Sequence, residues 1–378
     1  MLEIFFWISG ALVVYIYVGY PVLAWMLARL VGRPVRKAPI LPRVTVLTAA
    51  HNEAEHVEAT VRNKLAQDYP TELLDVIVIS DGSTDATDEI VKGLGPRVSL
   101  IRQSPRAGKT AALNLATDQA KGEILVFSDA NSIYSPDAIR RLVENFAESD
   151  VGYVTGKMVY VNEDGSLVGD GCSAYMKYEN WLRAQETRFG SVIGVDGGID
   201  AIRKSLFVKM RPDQLPDFVL PLSVAGEGKR VVYDARALLK EAALSRHDAE
   251  YRMRVRVGLR ALWALSDMRE LLNPFRRGLL AWQLVSHKLL RYLAFVPLLL
   301  LAGTSTVLIG SHAVYSTAAI GQLIFYGSAV FGWMTNNRSR SPAIGIPYYF
   351  LLLNVATAHA ALSFLRRQRL AIWTPRTG

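Results

Sequence analysis

The 378-residue sequence predicts an α/β protein, a Rossmann-like and mostly parallel sheet flanked by helices, carried between hydrophobic segments. Three observations predict it. Apolar, β-branched runs at Val76–Ser80 and Ile124–Ser128 each end on a carboxylate, Asp81 and Asp129. A buried parallel strand delivers a side chain in this way to its carboxyl end, where open α/β sheets bind ligands. Strand-like and helix-like stretches alternate from Val44 onward, the pattern of right-handed crossovers. Charge-free apolar stretches then flank this region on both sides.

Taken in order, residues 1–31 form an N-terminal membrane anchor, because Ile4 to Ala28 contain no Asp, Glu, Lys or Arg. No basic segment precedes this stretch and no small-residue cleavage site ends it, so the expectation is an uncleaved anchor. Residues 32–43 are a proline-rich, basic linker. The domain expected at 44–241 opens with strand Val44–Thr48, helix Glu53–Gln67, strand Asp75–Ser80 and helix Asp85–Lys92. Strand Val98–Arg102, helix Lys109–Ala120, strand Glu123–Ser128, helix Asp137–Glu148 and strand Gly152–Val161 follow. Residues 242–291 combine arginines with Leu, Trp and Phe at helical spacing, as in amphipathic helices at a membrane interface; an ordinary solvated helix face is the alternative.

Tyr292 to Asn337 is again free of such charges and breaks naturally at Gly310-Ser311, giving spans near 292–310 and 314–335. A last apolar segment covers Pro342 to Leu365, and residues 366–378 are a basic tail.

The net charge of +9 gathers at the membrane boundaries. Arg29, Arg33, Arg36, Lys37 and Arg43 after the first span predict a cytoplasmic domain in the inner or plasma membrane. Arg338 and Arg340 fit the same side. Arg366, Arg367 and Arg369 fall outside if the last segment crosses, against the positive-inside rule, unless the segment at Gly345-Ile-Pro347 is re-entrant. A nucleic-acid partner is not expected, because the basic residues follow these boundaries and no aromatic-basic strand motif occurs. The single Cys172 excludes an internal disulfide.

Several clusters carry chemistry. Ala50-His51-Asn52-Glu53 follows the first strand, although Asn52 alone would serve as a helix cap. Asp81-Gly-Ser-Thr-Asp85 reads as a ligand site or as a capped turn bonded to itself. Arg106-Ala-Gly108-Lys109-Thr110 is not a Walker loop, since the glycine required five residues before Gly108 is Gln103. Lys109 is placed either to hold a phosphate or to pair with a carboxylate. His51 and His56 lack the zinc-protease arrangement, and His312 and His359 read as bundle-facing polar residues. Asp129-Ala-Asn131 puts two oxygen-bearing side chains at one strand end, suited to Mg²⁺ or Mn²⁺; an Asx-turn without metal is the alternative.

Together these pieces resemble membrane-embedded members of glycosyltransferase family 2, related to cellulose, chitin, hyaluronan and poly-N-acetylglucosamine synthases. The resemblance implies a GT-A fold and inverting transfer from a nucleotide sugar, usually a uridine diphosphate sugar. The acceptor implied is a growing polysaccharide or a lipid-linked glycan, with the lipid bilayer and possible secretion-complex subunits as partners. It implies donor binding by Glu53, Asp81, Lys109 and Asp129, and a metal at Asp129 and Asn131, where the second carboxylate of the family's Asp-x-Asp is replaced. Gly194-Val-Asp196-Gly197-Gly198 resembles the acceptor segment, its glycines letting a sugar ring approach or forming a tight turn. Asp217 matches the catalytic base, with Pro216 where an acidic residue usually stands; a helix N-terminal Asp is the competing reading. The Gln-x-x-Arg-Trp motif is missing, and Arg252, Arg254 and Arg256 in its place would meet the pyrophosphate or only lipid headgroups. Single transfer to a lipid-linked glycan, or an inactive sugar-nucleotide-binding subunit, are the other functions this pattern allows.

Overall fold

In the computed structural model, residues 1–161, 171–242, 247–335 and 341–370 are described. Arg338, Arg340 and the tail beyond residue 370 lie outside them. The chain forms two compact units. One comprises Leu30–Leu167, Arg183–Ala243 and Arg369–Gly378; the other comprises Met1–Arg29, Val168–Leu182 and Leu244–Gln368.

The first unit is built on one eight-stranded sheet. Its strands are β1 Val44–Ala50, β2 Leu74–Asp81, β3 Val98–Gln103, β4 Ile124–Asp129, β5 Ile133–Tyr134, β6 Val151–Val161, β7 Ile199–Arg203 and β8 Arg230–Ala242. The spatial order is β3-β2-β1-β4-β7-β6-β8-β5. The β3-β2-β1-β4 half is parallel, β7 runs antiparallel to β4 and β6, β6 and β8 pair in parallel, and β5 closes the edge antiparallel. The sheet is therefore mixed, with its longest run of consecutive parallel strands in the first half. Every residue of β1 is buried, as expected of a strand covered on both faces.

Register sets the site. Ala49 of β1 pairs with Ile79 of β2 on one side and with Asp129 of β4 on the other. Asp81 and Asp129 thus end the two strands that flank β1, and the loop carrying Glu53 leaves from between them. The strand order reverses at β1, where an open α/β sheet forms its crevice. The first crossover helix begins at Val57, not Glu53. Asn52 has a positive φ of 55° and does not cap it; its Oδ1 accepts from the Thr84 amide (2.8 Å). The Ser83 hydroxyl accepts from the Asn52 amide (3.1 Å). These two bonds tie the loop after β1 to the loop after β2.

The second unit is helical. Leu2–Leu30, Ala313–Met334 and Pro342–Leu365 are each long and apolar enough to cross a membrane. Leu2–Leu30 widens into a π turn over Tyr15–Gly19, just before Pro21, whose ring nitrogen cannot donate to the preceding turn. Ile320, Leu323, Ile324 and Trp333 of the Ala313–Met334 helix are all more than half exposed, an outward apolar face that fits hydrocarbon. The span expected near 292–310 takes another form: Leu279–Tyr292 and Phe295–Val307 are two helices bent by 57°. Pro342–Leu365 is one unbroken helix, without the break that a re-entrant segment needs. His312 caps the Ala313–Met334 helix, its Nδ1 accepting from the Val314 amide, and is exposed rather than bundle-facing. The arginine-bearing helix His247–Asp267 buries Leu259 and Leu262 against Ala360 and Ala361 of the last helix, with Trp263 on Phe364, so one of its faces belongs to the bundle.

Candidate active site

Asp81 is fully buried and its carboxylate organises the loop before the Lys109–Gln119 helix. Oδ1 accepts from the Gln103 side chain (2.6 Å) and the Ala107 amide (2.8 Å), and Oδ2 accepts from the Gly108 amide (2.9 Å). Gly108 can take this path because its φ of 92° is open to glycine. The next residue, Lys109, extends its ammonium to Asp129 Oδ1 at 2.5 Å. Of its two sequence-level options, pairing with a carboxylate is the one seen. Burial pulls the Lys109 ammonium down, but Asp129, Asp217 and Asp200 together outweigh burial and hold its pKa above the ordinary lysine value. Three carboxylates from separate segments therefore lie within electrostatic reach of one lysine. Glu53 completes the group: burial, then Asp129 and Asp85, push its carboxyl up to about 7.

Asp217 is the second residue of the Pro216–Gly226 helix, with Pro216 preset for the first turn. Its carboxylate lies where a side chain on Gly197 would have to sit, and Gly197 has a φ of +82°. The glycine admits the Asp217 carboxylate, which accounts for the missing side chain at this position. A Cβ at Gly198 would meet Leu239 (2.8 Å) and Met158 (3.3 Å), a packing constraint. Asp196 holds an ion pair with Arg183 (2.6 Å), whose Nε also donates to the Gly194 carbonyl (2.8 Å). That pair fixes the loop preceding Gly197.

Arg252, Arg254 and Arg256 belong to the helical unit. Arg254 is held by Glu250 (2.8 Å) and the Tyr349 hydroxyl (2.7 Å), while Arg252 is exposed.

Four residues were not legible as part of the site. Lys64 is fully buried, donates to the Ser132 carbonyl (2.5 Å) and lies 3.8 Å from the centre of the Tyr134 ring. Burial pushes it down to about 7, against the pull of Asp129. Tyr134 places its hydroxyl 2.8 Å from the carbonyl oxygens of both Phe127 and Gly198, and so spans from the β4 end to the acceptor-like loop. Asp200 is buried; burial raises its carboxyl to about 7, with Asp217 and Asp196 adding to the rise while Thr155 and Tyr153 oppose it through hydrogen bonds. Tyr153 is the fourth, buried beside it. Lys64 sits in a helix at a spacing typical of a solvated face, and only Asp200, two residues beyond Gly198, carried a signal in its acidic strand position.

For a divalent cation, Asp129 and Asn131 offer hard oxygen donors, and both residues are only partly buried at the end of β4. Asp129 and Ser132 close a turn through the Ser132 amide (3.3 Å). Among the described residues no three His, Cys, Asp or Glu side chains gather to hold a metal by themselves. The residues fit an ion that takes its remaining ligands from phosphate oxygens, the usual habit of Mg²⁺.

Residues 45–210, which hold Asp81 and Asp129 at the ends of their strands, match the model of glycosyl transferase family 2. They are a family 2 glycosyltransferase domain. A β-monoglucosyldiacylglycerol synthase of a Nostoc species is 29% identical over 169 residues, 43% of this chain and 36% of that protein. A poly-β-1,6-N-acetyl-D-glucosamine synthase of Staphylococcus aureus is 30% identical over 171 residues, 44% of this chain and 41% of that protein. The chain thus covers well under half the length of either relative. A mannosyltransferase of Pyrobaculum calidifontis, solved with GDP-mannose and Mn²⁺, aligns over 97% of this chain and 100% of its own at a TM-score of 0.73 and 23% identity. The fold of the domain is GT-A.

Proposed function

We propose that this glycosyltransferase moves one sugar, with inversion, from a nucleotide-sugar donor to a hydroxyl of an acceptor held at the membrane. The observation that carries the reading is Lys109, whose ammonium pairs with Asp129 and lies in the field of Asp217. Groups that would handle the leaving diphosphate and the attacking hydroxyl are thereby brought to one edge of the sheet.

In this mechanism the donor lies across the carboxyl ends of β2, β1 and β4. Glu53 flanks the nucleoside, and Asp81 acts mainly through the Ala107 and Gly108 amides that it holds. Asp129 and Asn131 would bind Mg²⁺ or Mn²⁺, which when present neutralises charge on the diphosphate. Lys109 supplies the chain's own positive charge there. Asp217 takes the proton of the acceptor hydroxyl while that oxygen bonds to the anomeric carbon. The bond from that carbon to the diphosphate breaks on the opposite face, and the diphosphate leaves with the electron pair. A positioned base of this kind contributes about 10²–10⁴-fold in rate.

The acceptor is a membrane lipid, a lipid-linked glycan or a growing polysaccharide, supported by the three candidate spans and by the names of the two relatives. The catalytic unit also contains Arg369, which follows the last span and pairs with Asp213. In this reading Arg369 lies on the domain's own side of the membrane, and the segments between residues 244 and 368 cross it an even number of times. The Ala313–Met334 and Pro342–Leu365 helices supply two crossings. In this reading the bent pair does not add a third, its second helix Phe295–Val307 having 13 residues and being about 20 Å long against roughly 30 Å of hydrocarbon. We take that side to be cytoplasmic, in keeping with the basic residues after the first span.

The test is release of nucleoside diphosphate by the purified full chain from a panel of UDP- and GDP-sugars, with lipid acceptors present. Turnover that is lost in Asp217→Asn while nucleotide binding persists supports the reading. No turnover with any donor leaves the inactive binding subunit instead. A ladder of products means polymerisation, and a single addition means one-step transfer to lipid.

A further inference from the structure

Lys109 occupies a position that its own helix does not favour. It opens the Lys109–Gln119 helix, whose first turn holds no acidic residue, and the helix dipole puts partial positive charge at that end. The ammonium is held there from outside, by Asp129 Oδ1 at 2.5 Å. Asp129 is also the only carboxylate that the chain offers at the Asp129-Ala-Asn131 motif, because Asn131 contributes a neutral oxygen.

An ammonium and a divalent cation bound at the same carboxylate repel each other. A single carboxylate already neutralised by lysine, beside one amide oxygen, is a poor trap for a hydrated Mg²⁺ or Mn²⁺ ion. A diphosphate changes both sides of this balance. It brings oxygen ligands for the ion and a new anionic partner for the lysine, whose four-carbon stem allows the ammonium to move from one to the other.

We propose that Lys109 is a stand-in cation, holding Asp129 until the donor's diphosphate draws it away, so that divalent metal joins the site only together with nucleotide. This rests on the proposed donor site and adds an order of assembly to it. Coupling of this kind is reciprocal: nucleotide tightens metal binding by the same factor as metal tightens nucleotide binding. Removing the ammonium raises metal affinity in the absence of nucleotide and shrinks the coupling.

The experiment is Mn²⁺ binding to the full chain in detergent, read by the electron paramagnetic resonance of free Mn²⁺, with and without UDP or GDP. Wild type is expected to bind Mn²⁺ about tenfold or more tightly with one of the nucleotides. Lys109→Met, with Lys109→Gln as a second variant and circular dichroism as the check on folding, is expected to bind Mn²⁺ about tenfold more tightly than wild type without nucleotide. Lys109→Arg keeps a cation at the carboxylate and should bind weakly without nucleotide, as wild type does. Asp129→Asn should lose Mn²⁺ binding in every condition. If wild type shows the nucleotide effect but Lys109→Met and Lys109→Gln bind Mn²⁺ without nucleotide no better than wild type, the stand-in role is wrong and the donor site survives. If wild type binds Mn²⁺ equally well with and without nucleotide, the order of assembly is wrong. If it binds none even with UDP or GDP, the proposed metal-assisted donor site fails, and this inference with it.

Discussion

The Asp217 carboxylate fills the volume that any side chain on residue 197 would need. Gly197 lies in the left-handed region at a φ of +82°, so both its backbone and its missing Cβ serve that contact. Gly197→Ala is therefore expected to push the carboxylate out of place. In a transfer assay, kcat should fall about 10²-fold or more while the dissociation constant for nucleotide stays within about twofold. Unchanged kcat in a folded Gly197→Ala protein would remove Asp217 from the catalytic role.

Asp217→Asn keeps the shape and removes the base. The expected loss is about 10²–10⁴-fold in kcat, with nucleotide binding intact by isothermal titration calorimetry.

Asp196 and Arg183 form a buried pair, so Asp196→Asn removes the charge partner of a buried guanidinium. Thermal unfolding should show a loss of about 3 kcal/mol. The KM for acceptor, measured below the unfolding temperature, should hold within about twofold, because the pair with Arg183 already engages the Asp196 carboxylate. A large rise in KM with unchanged stability would restore it as an acceptor ligand.

The buried Asp200 gives a pH signature. Its carboxyl is raised to about 7 in the folded chain, mainly by burial, from an ordinary value near 3.8. The folded state therefore holds a proton that the unfolded state has released between those values. Asp200 costs nothing below about pH 4, costs progressively more as pH rises, and costs most above about pH 7, on the order of a few kcal/mol. Unfolding midpoints from pH 4.5 to 8 should show Asp200→Asn gaining on wild type as pH increases. A constant difference across that window would mean that Asp200 ionises normally.

The tail pairing of Arg369 with Asp213 predicts sidedness. In a Cys172→Ser background, Gln368→Cys should resist a membrane-impermeant maleimide in intact cells and react once the membrane is permeabilised. Labelling in intact cells would put the tail on the outer face and make the bent pair a full span.

The parallel half of the sheet was readable in the chain because its strands are short apolar runs that stop abruptly at Asp81 and Asp129. The antiparallel entry of β7 beside β4 was not, since Ile199–Arg203 is a five-residue strand with an acidic residue at its second position. Asn52 and Asp196 have local signatures of a cap and a ligand, but their partners, Thr84 and Arg183, are distant in sequence and carry no periodic signal.

Residue order alone was enough to establish the α/β alternation, the apolar segments and the acidic strand ends, because periodicity and the lack of charge are properties of neighbouring residues. Folding assigned the roles. It gave Asp81 to a loop, Asp196 to an ion pair, Gly197 to Asp217, and Lys109 to the carboxylate that a metal would need. Those pairings depend on register across strands and on which side chains are denied water, and neither quantity exists until the sheet has formed.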